Sequence, residues 1–292
     1  NQIAQFYIYP FTIPEQQRSA TALRHIEQYY FDFSELRERG LDALIITGAN
    51  PVSPALDQES FWLPLMEVVD WATDNVASML CSCLATHALV KFGHGIERER
   101  LARKKWGVYS HSISAPEHPL TWEINTRFDA PHSRFNDVSK QQMEQAGLKV
   151  LAESEDAGVH LAVSEDLFRV VYFQGHPEYD AISLLKEYKR EALRYLEGVR
   201  DTQPPLPRNY FPQGAEIVID DFMQAALTAK RNGDEQPQFP ERELQELVDN
   251  TWGDTGKAIV NNWLGLVYQL TNLDRRLQFM EGVDPKDPLG LK

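Results

Sequence analysis

Short apolar runs alternate with helix-length stretches over the first 200 residues, and this alternation constrains the fold more than any other feature. Residues 41–48 and 76–82 are mostly apolar, as in strands that are buried on both faces of a parallel sheet. Other strand-like runs are residues 6–9, 106–109, 149–151, 160–163 and 168–173. Helical patterns separate several of them, at residues 23–30, 61–71, 84–92 and 182–196. The pattern predicts an α/β fold of three layers, a mainly parallel sheet with helices on both faces.

The domain organisation follows from where the alternation stops. A chain of 292 residues is long enough for two domains, but no break interrupts the first 200 residues. After the proline-rich stretch at 204–212 only helical patterns remain, and a tail with Pro285 and Pro288 ends the chain. We expect one α/β domain over residues 1–292, in which residues 201–292 form a helical cap and tail. Residues 160–163 and 168–173 flank Glu165 and Asp166, which predicts a hairpin.

Charge and composition argue against two kinds of partner. The net charge of -14 would repel a phosphate backbone, so nucleic acid is not expected. No apolar run reaches the roughly 18 residues that a membrane span needs. Cys81 and Cys83 are the only cysteines, which fits a reducing compartment. Because the N-terminus also carries no signal-peptide pattern, we expect a cytoplasmic protein.

Cys83 is a candidate nucleophile because it stands where a buried strand should turn into a helix. Such an elbow exposes a side chain, and the free N–H groups of the helix stabilise a thiolate and a developing oxyanion. The alternative is that both cysteines are small core residues. Cys81 and Cys83 also form a Cys-x-Cys pair, but no second ligand pair with zinc spacing exists, so no metal is expected.

A base and a group to orient it follow a later strand, in the segment from Gln174 to Asp180. His176 is able to take a proton from the thiol, and Glu178 lies two residues further on, across a proline. Taken alone, His-Pro-Glu is also typical of a turn with a solvated carboxylate. A Cys after one strand and a His-x-Glu after a later one suit the layout of class I glutamine amidotransferases.

Several motifs, in order along the chain, extend this similarity from about residue 25 to about residue 272. They are Leu-Ile-Ile-Thr-Gly-Ala at 44–49, Ala-Pro-His-Ser-Arg-Phe at 130–135, Gly-His-Pro-Glu-Tyr-Asp at 175–180, Asn-Tyr-Phe-Pro at 209–212, Asn-Trp-Leu at 262–264 and Val-Tyr-Gln at 267–269. Together they resemble the homoserine O-acyltransferases of the homoserine trans-succinylase family, in the class I glutamine amidotransferase-like superfamily. The resemblance implies a cytoplasmic, usually dimeric enzyme of methionine biosynthesis, with no bound cofactor. Such an enzyme transfers succinyl or acetyl from acyl-CoA to the hydroxyl of L-homoserine through an acyl-cysteine.

The resemblance also implies roles for the matching positions. Cys83 is the nucleophile, His176 the general base and acid, and Glu178 its orienting partner, while the N–H of Leu84 belongs to the oxyanion hole. The substrate-binding positions are Lys104, Ser133, Arg134, Glu187 and Arg190. An ordinary structural explanation competes with each: a solvated Lys104, a helix-capping Ser133, a surface Arg134, and a surface ion pair of Glu187 with Arg190.

Some positions depart from the family pattern. The position of Val52 is linked to acyl choice, with Glu for acetyl and Gly for succinyl, and valine is neither. Pro51 has no N–H to donate, which matters if that position contributes to the oxyanion hole. His87 and Leu84 replace Gln and Trp, and the motif that begins at Trp252 lacks an Arg and a His.

The donor and acceptor therefore stay open. We favour homoserine O-succinyltransferase activity, followed by acetyl transfer to homoserine or serine. A glutaminase-type amidotransferase and a non-catalytic relative are the competing classes.

Overall fold

A seven-stranded sheet forms the centre of the computed structural model, which describes residues 6–13, 16–49 and 51–292. The strands are β1 (Ala43–Ile46), β2 (Ser78–Ser82), β3 (Glu99–Ile113), β4 (Arg127–Asp137), β5 (Lys149–Ser154), β6 (Gly158–Val163) and β7 (Val170–Phe173). Their order across the sheet is β1-β2-β7-β6-β5-β3-β4. Strands β2 and β7, after which the candidate nucleophile and base follow, are therefore neighbours.

The helices of the described residues fill the predicted positions and add several more. They are α1 (Ala20–Tyr29), α2 (Phe33–Arg39), α3 (Trp62–Asn75), α4 (Leu84–His94), α5 (Lys140–Gln145), α6 (Ser183–Leu196), α7 (Gln213–Asn232), α8 (Glu241–Leu247) and α9 (Gly253–Leu270). Each of these helices is either too short or too polar to traverse a lipid bilayer.

The sheet is mixed, whereas the sequence predicted a mainly parallel one. Only the pairs β1–β2 and β2–β7 are parallel, and the other four pairs are antiparallel. The reason is the length of the connections, because β5–β6 and β6–β7 are joined by loops too short for a crossover helix. The second of these is the predicted hairpin around Glu165 and Asp166.

Helices cover both faces of the sheet, as the α/β pattern predicted. Met79 and Cys81 of β2 pack with α3 and α4 on one face. Leu80, between them, points to the other face and packs in a cluster with α9. Helices α6, α7 and α8 form a third cluster with Trp106 and Val108 of β3.

Three strand predictions need correction. Residues 6–9 form no strand, because the chain there finds no partner beyond a single bridge from Phe11 to Phe31. Strand β1 is not buried on both faces, since it lies at the edge of the sheet and Ile45 is exposed. Strand β4 was not predicted at all, because its sequence is polar and contains Pro131, which an edge strand tolerates.

The C-terminal part is helical, as predicted, with no strand after Phe173 in the described residues. Helix α9 packs on the sheet, while α7 and α8 contact α6. The tail contacts the C-terminal end of α3. Gln278 Nε2 donates to the carbonyl oxygens of Thr73 and Val76 at 2.9 and 2.8 Å. Position 40 must be glycine, because any side chain there would collide with the backbone of Arg275.

Candidate active site

Cys83 lies on a strained elbow between β2 and α4. Its φ of 53° and ψ of -111° are unfavourable for a residue with a side chain, and such strain concentrates at functional positions. The Cys83 N–H donates to the carbonyl of Phe173 at 2.8 Å, which fixes the elbow to the end of β7. Cys83 is partly exposed. Cys81 is fully buried, and burial raises the pKa of its thiol, so the core-residue interpretation holds for Cys81.

His176 and Glu178 meet Cys83 from the segment that follows β7. His176 Nδ1 is 2.8 Å from Glu178 Oε1, and an interaction with the side chain of Cys83 contributes to the raised pKa of His176. The hydroxyl of Ser82 donates to both carboxylate oxygens of Glu178, at 3.0 and 3.2 Å. The three predicted residues thus form one constellation, and Ser82 is an additional member that the sequence analysis missed.

The charges of this constellation favour a protonated imidazole. Burial by itself would lower the pKa of His176, but the hydrogen bonds to Cys83 and Glu178 outweigh it and raise the pKa to about 9. Burial by itself would raise the pKa of Glu178, but the hydrogen bond to His176 and its charge lower it. At neutral pH the arrangement therefore supplies an imidazolium beside the thiol, with a carboxylate that holds its ring.

Helix α9 holds the segment that carries His176 in place. The indole Nε1 of Trp252 donates to the carbonyl of Tyr179 at 2.7 Å. A methyl group on Gly256 would lie 2.8 Å from the carbonyl oxygen of Pro177, so the helix approaches the backbone there as only glycine permits. The altered motif that begins at Trp252 therefore packs against the backbone on both sides of Glu178, at Pro177 and Tyr179.

A charged group next to the triad brings together three of the predicted substrate residues. The Glu187 cluster consists of Lys104, Ser133, Tyr179 and Glu187. Glu187 Oε2 accepts from Lys104 Nζ at 3.1 Å and from the Ser133 hydroxyl at 2.6 Å, and its Oε1 accepts from the Tyr179 hydroxyl at 2.6 Å. The ring of Tyr179 stacks on the ring of His176, with centroids 4.1 Å apart. Tyr179, which the sequence analysis missed although it belongs to the His-Pro-Glu-Tyr motif, joins this cluster to the triad.

Both charges of the Glu187 cluster are largely buried. Burial lowers the pKa of Lys104, and the nearby Glu187 carboxylate opposes this shift. Burial would raise the pKa of Glu187, but the Lys104 charge and the hydrogen bonds from Ser133 and Tyr179 lower it. The pair is thus an ammonium and a carboxylate in a sheltered site, which suits the charged groups of an amino acid.

Arg134 and Arg190 form no hydrogen bond or ion pair with the Glu187 cluster in the described residues. Arg134 is buried on the other side of β4 from Ser133, where its guanidinium contacts His132 and the carbonyl of Ala157 and lies 3.0 Å from Asp137 Oδ1. The alternative of a surface residue is therefore wrong for Arg134, which faces the opposite side of β4 from Ser133 because neighbouring residues in a strand point to opposite faces.

Arg190 is half-exposed and pairs with Glu191 at 3.2 Å, whereas Glu187 pairs with Lys104. The predicted alternative of a surface ion pair between Glu187 and Arg190 is therefore wrong. Burial lowers the pKa of Lys104, and the charge of Arg190 adds a small contribution in the same direction.

The backbone near Cys83 leaves space for an oxyanion. Leu84 is the first residue of α4, and the first N–H groups of a helix have no partner inside it. A methyl group on Gly48 would lie 3.3 Å from the Leu84 nitrogen and 3.6 Å from the Cβ of Cys83. Glycine at position 48 therefore keeps the approach to the Leu84 N–H open, which agrees with the role predicted for it.

Two positions that depart from the family pattern, Val52 and His87, differ in their burial. Val52 is 92% exposed in a segment without helix or strand, so its side chain forms no wall of a pocket in this structure. Its predicted role in acyl choice finds no contact here. His87 is buried, and its Nε2 lies 2.9 Å from Gln174 Oε1. This contact joins the first turn of α4 to the segment that follows β7.

A second group of titratable residues lies on the buried side of β4. We call His111, His132 and His160 the histidine cluster, and potential ligand atoms of the three lie within 4.8 Å of one another. Arginine only donates, so the contact of Arg134 with His132 Nδ1 makes that atom an acceptor. His132 Nε2 then donates to His111 Nε2 at 3.0 Å, and His111 Nδ1 donates to the carbonyl of Tyr109 at 2.8 Å.

This hydrogen-bond chain explains why the histidine cluster is a poor metal site. Both ring nitrogens of His111 and of His132 are already engaged, which leaves neither residue a lone pair for a cation. Burial lowers the pKa of all three imidazoles, to about 4 for His111 and well below the usual range for His132 and His160. The cluster is therefore neutral, and the nearby Arg134 charge would repel a metal ion.

Fold and site together define the class: an α/β protein with a thiol on an elbow and a His–Glu pair beside it. The family model described as homoserine O-succinyltransferase matches residues 1–273. This chain belongs to the homoserine O-succinyltransferase family, whose name describes an acyltransferase.

Curated relatives agree with the family model. Proteins named homoserine O-succinyltransferase from Methylobacter tundripaludum and Methylococcus capsulatus are 57% and 56% identical over 291 residues, and each match covers all of this chain and 82% of the relative. Among solved structures, a glutamine amidotransferase from Thermotoga maritima is similar at 14% identity and a TM-score of 0.45. That match covers 85% of this chain and 90% of that one.

Proposed function

We propose that this protein transfers a succinyl group from succinyl-CoA to the hydroxyl of L-homoserine, through an acyl intermediate on Cys83. One observation carries the proposal: Cys83 lies on a strained elbow that is hydrogen-bonded to the end of β7, and the segment after β7 carries His176, whose Nδ1 is 2.8 Å from Glu178. The names of relatives that are 53–57% identical over nearly the whole chain support the choice of donor and acceptor. In this role acyl-CoA is a substrate and not a resident cofactor.

The first half-reaction acylates the thiol. The Cys83 thiolate attacks the thioester carbonyl carbon, and the new C–S bond creates an oxyanion that the Leu84 N–H stabilises. The bond from carbon to the sulfur of CoA then breaks. The imidazolium of His176 gives its proton to the departing thiolate, so CoA leaves as a thiol and His176 is neutral.

The second half-reaction moves the acyl group to the acceptor. Neutral His176 takes the proton of the homoserine hydroxyl, whose oxygen attacks the acyl-cysteine carbonyl. The bond from carbon to the Cys83 sulfur then breaks, the acyl group leaves on the homoserine oxygen, and Cys83 and His176 return to the state in which the cycle began. In this proposal Lys104, Glu187 and Arg190 bind the ammonium and the carboxylate of the amino acid, which the buried ion pair of Lys104 and Glu187 supports.

Intact-protein mass measurement tests both half-reactions. The protein is mixed with succinyl-CoA or, separately, acetyl-CoA, and then with homoserine or serine. We expect a succinyl adduct that homoserine removes. The Cys83→Ala variant should form no adduct, whereas the matched control Cys81→Ala, which changes a buried core thiol, should still form it.

Two results would contradict the proposal. An adduct that persists in Cys83→Ala would place the chemistry elsewhere. Glutamine hydrolysis by a protein that forms no adduct with either donor would assign it to the amidotransferase class. The single domain, the homodimer and the cytoplasmic location remain predictions from the sequence.

A further inference from the structure

The side chain of Tyr179 contacts both the base and the Glu187 carboxylate, and neither half-reaction described above uses it. Its ring lies on the imidazole of His176, with the centroids 4.1 Å apart and the planes inclined by 22°. Its hydroxyl, at the far end of the same ring, donates to Glu187 Oε1 at 2.6 Å. Burial and the Glu187 carboxylate both raise the pKa of Tyr179, so the hydroxyl stays protonated and remains a donor.

The backbone and the surrounding side chains fix the position of Tyr179. Its N–H donates to the carbonyl of His176 at 3.2 Å, which closes a turn. Its carbonyl accepts from the indole of Trp252 at 2.7 Å, and its side chain packs against the cluster that α6, α7 and α8 form with β3. The ring is therefore a rigid spacer between the imidazole of His176 and the carboxylate of Glu187.

The two carboxylate oxygens of Glu187 differ in the number of donors that they accept. Oε2 accepts from Lys104 and from Ser133, which uses both of its lone pairs. Among the described residues Oε1 accepts only from Tyr179, so this oxygen has a lone pair left for an incoming donor. An ammonium group that binds Glu187 would therefore bind at Oε1, beside the Tyr179 hydroxyl.

We propose that Tyr179 is a positioning residue for the transfer step: its hydroxyl orients Glu187 Oε1 toward the ammonium of the acceptor, and its ring sets the distance from that ammonium to His176. This inference rests on the proposed function. The hydroxyl then matters only when an amino acid binds, whereas the ring matters in every step in which His176 exchanges a proton. Substitutions at this one position therefore separate acceptor binding from proton transfer.

The first test is Tyr179→Phe, which removes the hydroxyl and keeps the ring. In single turnovers of the acyl-enzyme, we expect the homoserine concentration that gives half the maximal rate to rise about 10- to 100-fold, the loss expected for a hydrogen bond to a charged group. Acylation by succinyl-CoA, transfer at saturating homoserine and hydrolysis without an acceptor should each change less than about threefold. Tyr195→Phe removes a half-buried hydroxyl from α6 as the matched control and should leave all four quantities unchanged.

The second test is Tyr179→Leu, which removes the ring as well. We expect hydrolysis of the acyl-enzyme and transfer at saturating homoserine to fall together, by about 3- to 10-fold, because the imidazole loses its stacking partner and with it a fixed orientation. Hydrolysis requires His176 but no amino acid, so a defect in acceptor binding does not produce this loss.

Three results would overturn the inference. An unchanged half-saturating homoserine concentration in Tyr179→Phe would show that the hydroxyl does not serve the acceptor. Equal losses of acylation, hydrolysis and transfer in Tyr179→Phe would show a structural role only, and this variant decides the matter even if Tyr179→Leu does not fold. Unchanged hydrolysis in a folded Tyr179→Leu would show that the ring does not hold His176. Wild-type protein that forms no adduct with succinyl-CoA would instead overturn the proposed function, and the inference with it.

Discussion

Two polar clusters flank strand β4, and they differ in nearly every physical respect. Ser133 points to the Glu187 cluster, where an ammonium and a carboxylate face each other beside His176. His132, the preceding residue, points to the histidine cluster, which is buried and neutral. The alternation of one strand thus separates a charged site that suits a substrate from an uncharged network that supports it.

The difference shows that titratable residues in proximity do not by themselves make a functional site. In the Glu187 cluster each charge is retained because it has a partner, and the group is next to the triad. In the histidine cluster a chain of hydrogen bonds joins Arg134, His132 and His111, whereas the buried Nδ1 of His160 has no hydrogen-bond partner among the described residues. The histidine cluster contacts the segment that carries His176 at Gly175, the residue directly before it. A methyl group on Gly175 would lie 2.5 Å from His160 Nδ1.

The largest effect is expected from Glu187→Gln, which leaves the sheltered Lys104 charge without its partner. Loss of one member of such a pair costs about 2–5 kcal/mol, so transfer to homoserine should fall about 30-fold or more. Acylation of Cys83 should change less than about threefold. Single-turnover mass measurements separate the two steps, and Glu197→Gln, a change at the exposed residue that follows the same helix, is the control. Equal losses in both steps would contradict a specific role in acceptor binding.

Gly175→Ala should affect both clusters, because the added methyl group would collide with His160 and with His132. We expect a loss of about 1–3 kcal/mol in the free energy of unfolding, as for other overpacked cores. Acylation should also slow about tenfold or more as His176 is displaced. Chemical denaturation and the rate of adduct formation check the two effects. A variant with normal acylation would show that the histidine cluster does not support the triad.

The two kinds of histidine should give opposite dependences of stability on pH. The pKa of His176 is raised to about 9, so its contribution is complete below about pH 6.5 and is lost as the pH rises through 9. The pKa of His111 is lowered to about 4, so its contribution is present above about pH 6.5 and is lost as the pH falls toward 4.

Each contribution is on the order of 1–3 kcal/mol. Unfolding free energies at several pH values should show that His111→Asn flattens the acid side only. His176→Gln should flatten the alkaline side only. A change on the wrong side for either variant would refute the assignment of charge states.

Ser133→Ala should have the smallest effect. It tests whether Ser133 acts with the Glu187 cluster, while its neighbour His132 belongs to the histidine cluster. It removes a single hydrogen bond to Glu187, worth about 1–2 kcal/mol, so transfer to homoserine should fall about tenfold. The free energy of unfolding should change by less than about 1 kcal/mol. Ser133→Thr keeps the hydroxyl and should restore transfer. A large loss of stability with normal transfer would place Ser133 with the structural cluster instead.

Local patterns were sufficient to single out Cys83, His176 and Glu178 as candidates, although their roles came from the family resemblance. Cys83 and His176 each follow a buried strand, and strands of this kind are recognisable from their apolar residues alone. Lys104, Ser133 and Glu187 are different, because they come from β3, β4 and α6, and only resemblance to a family brought them together in advance.

What the sequence could not predict depends on distant contacts. Arg134 is buried because it lies in strand β4. This strand was not predicted, because its sequence is polar and contains Pro131. The role of Trp252 depends on where α9 meets the His176 segment. The strand predicted at residues 6–9 failed for the same reason, since aromatic residues favour a strand only where a partner strand is present.

The positive φ of Cys83 has a consequence for selection. Glycine adopts such a conformation without the penalty that a side chain incurs, so backbone energetics alone would favour glycine at this position. A cysteine there lowers the stability of the folded chain, and only a benefit from its sulfur would keep it against mutation. Natural variation at position 83 should therefore depend on whether the activity is retained: lineages that lose it are free to replace the cysteine with a residue that makes the fold more stable.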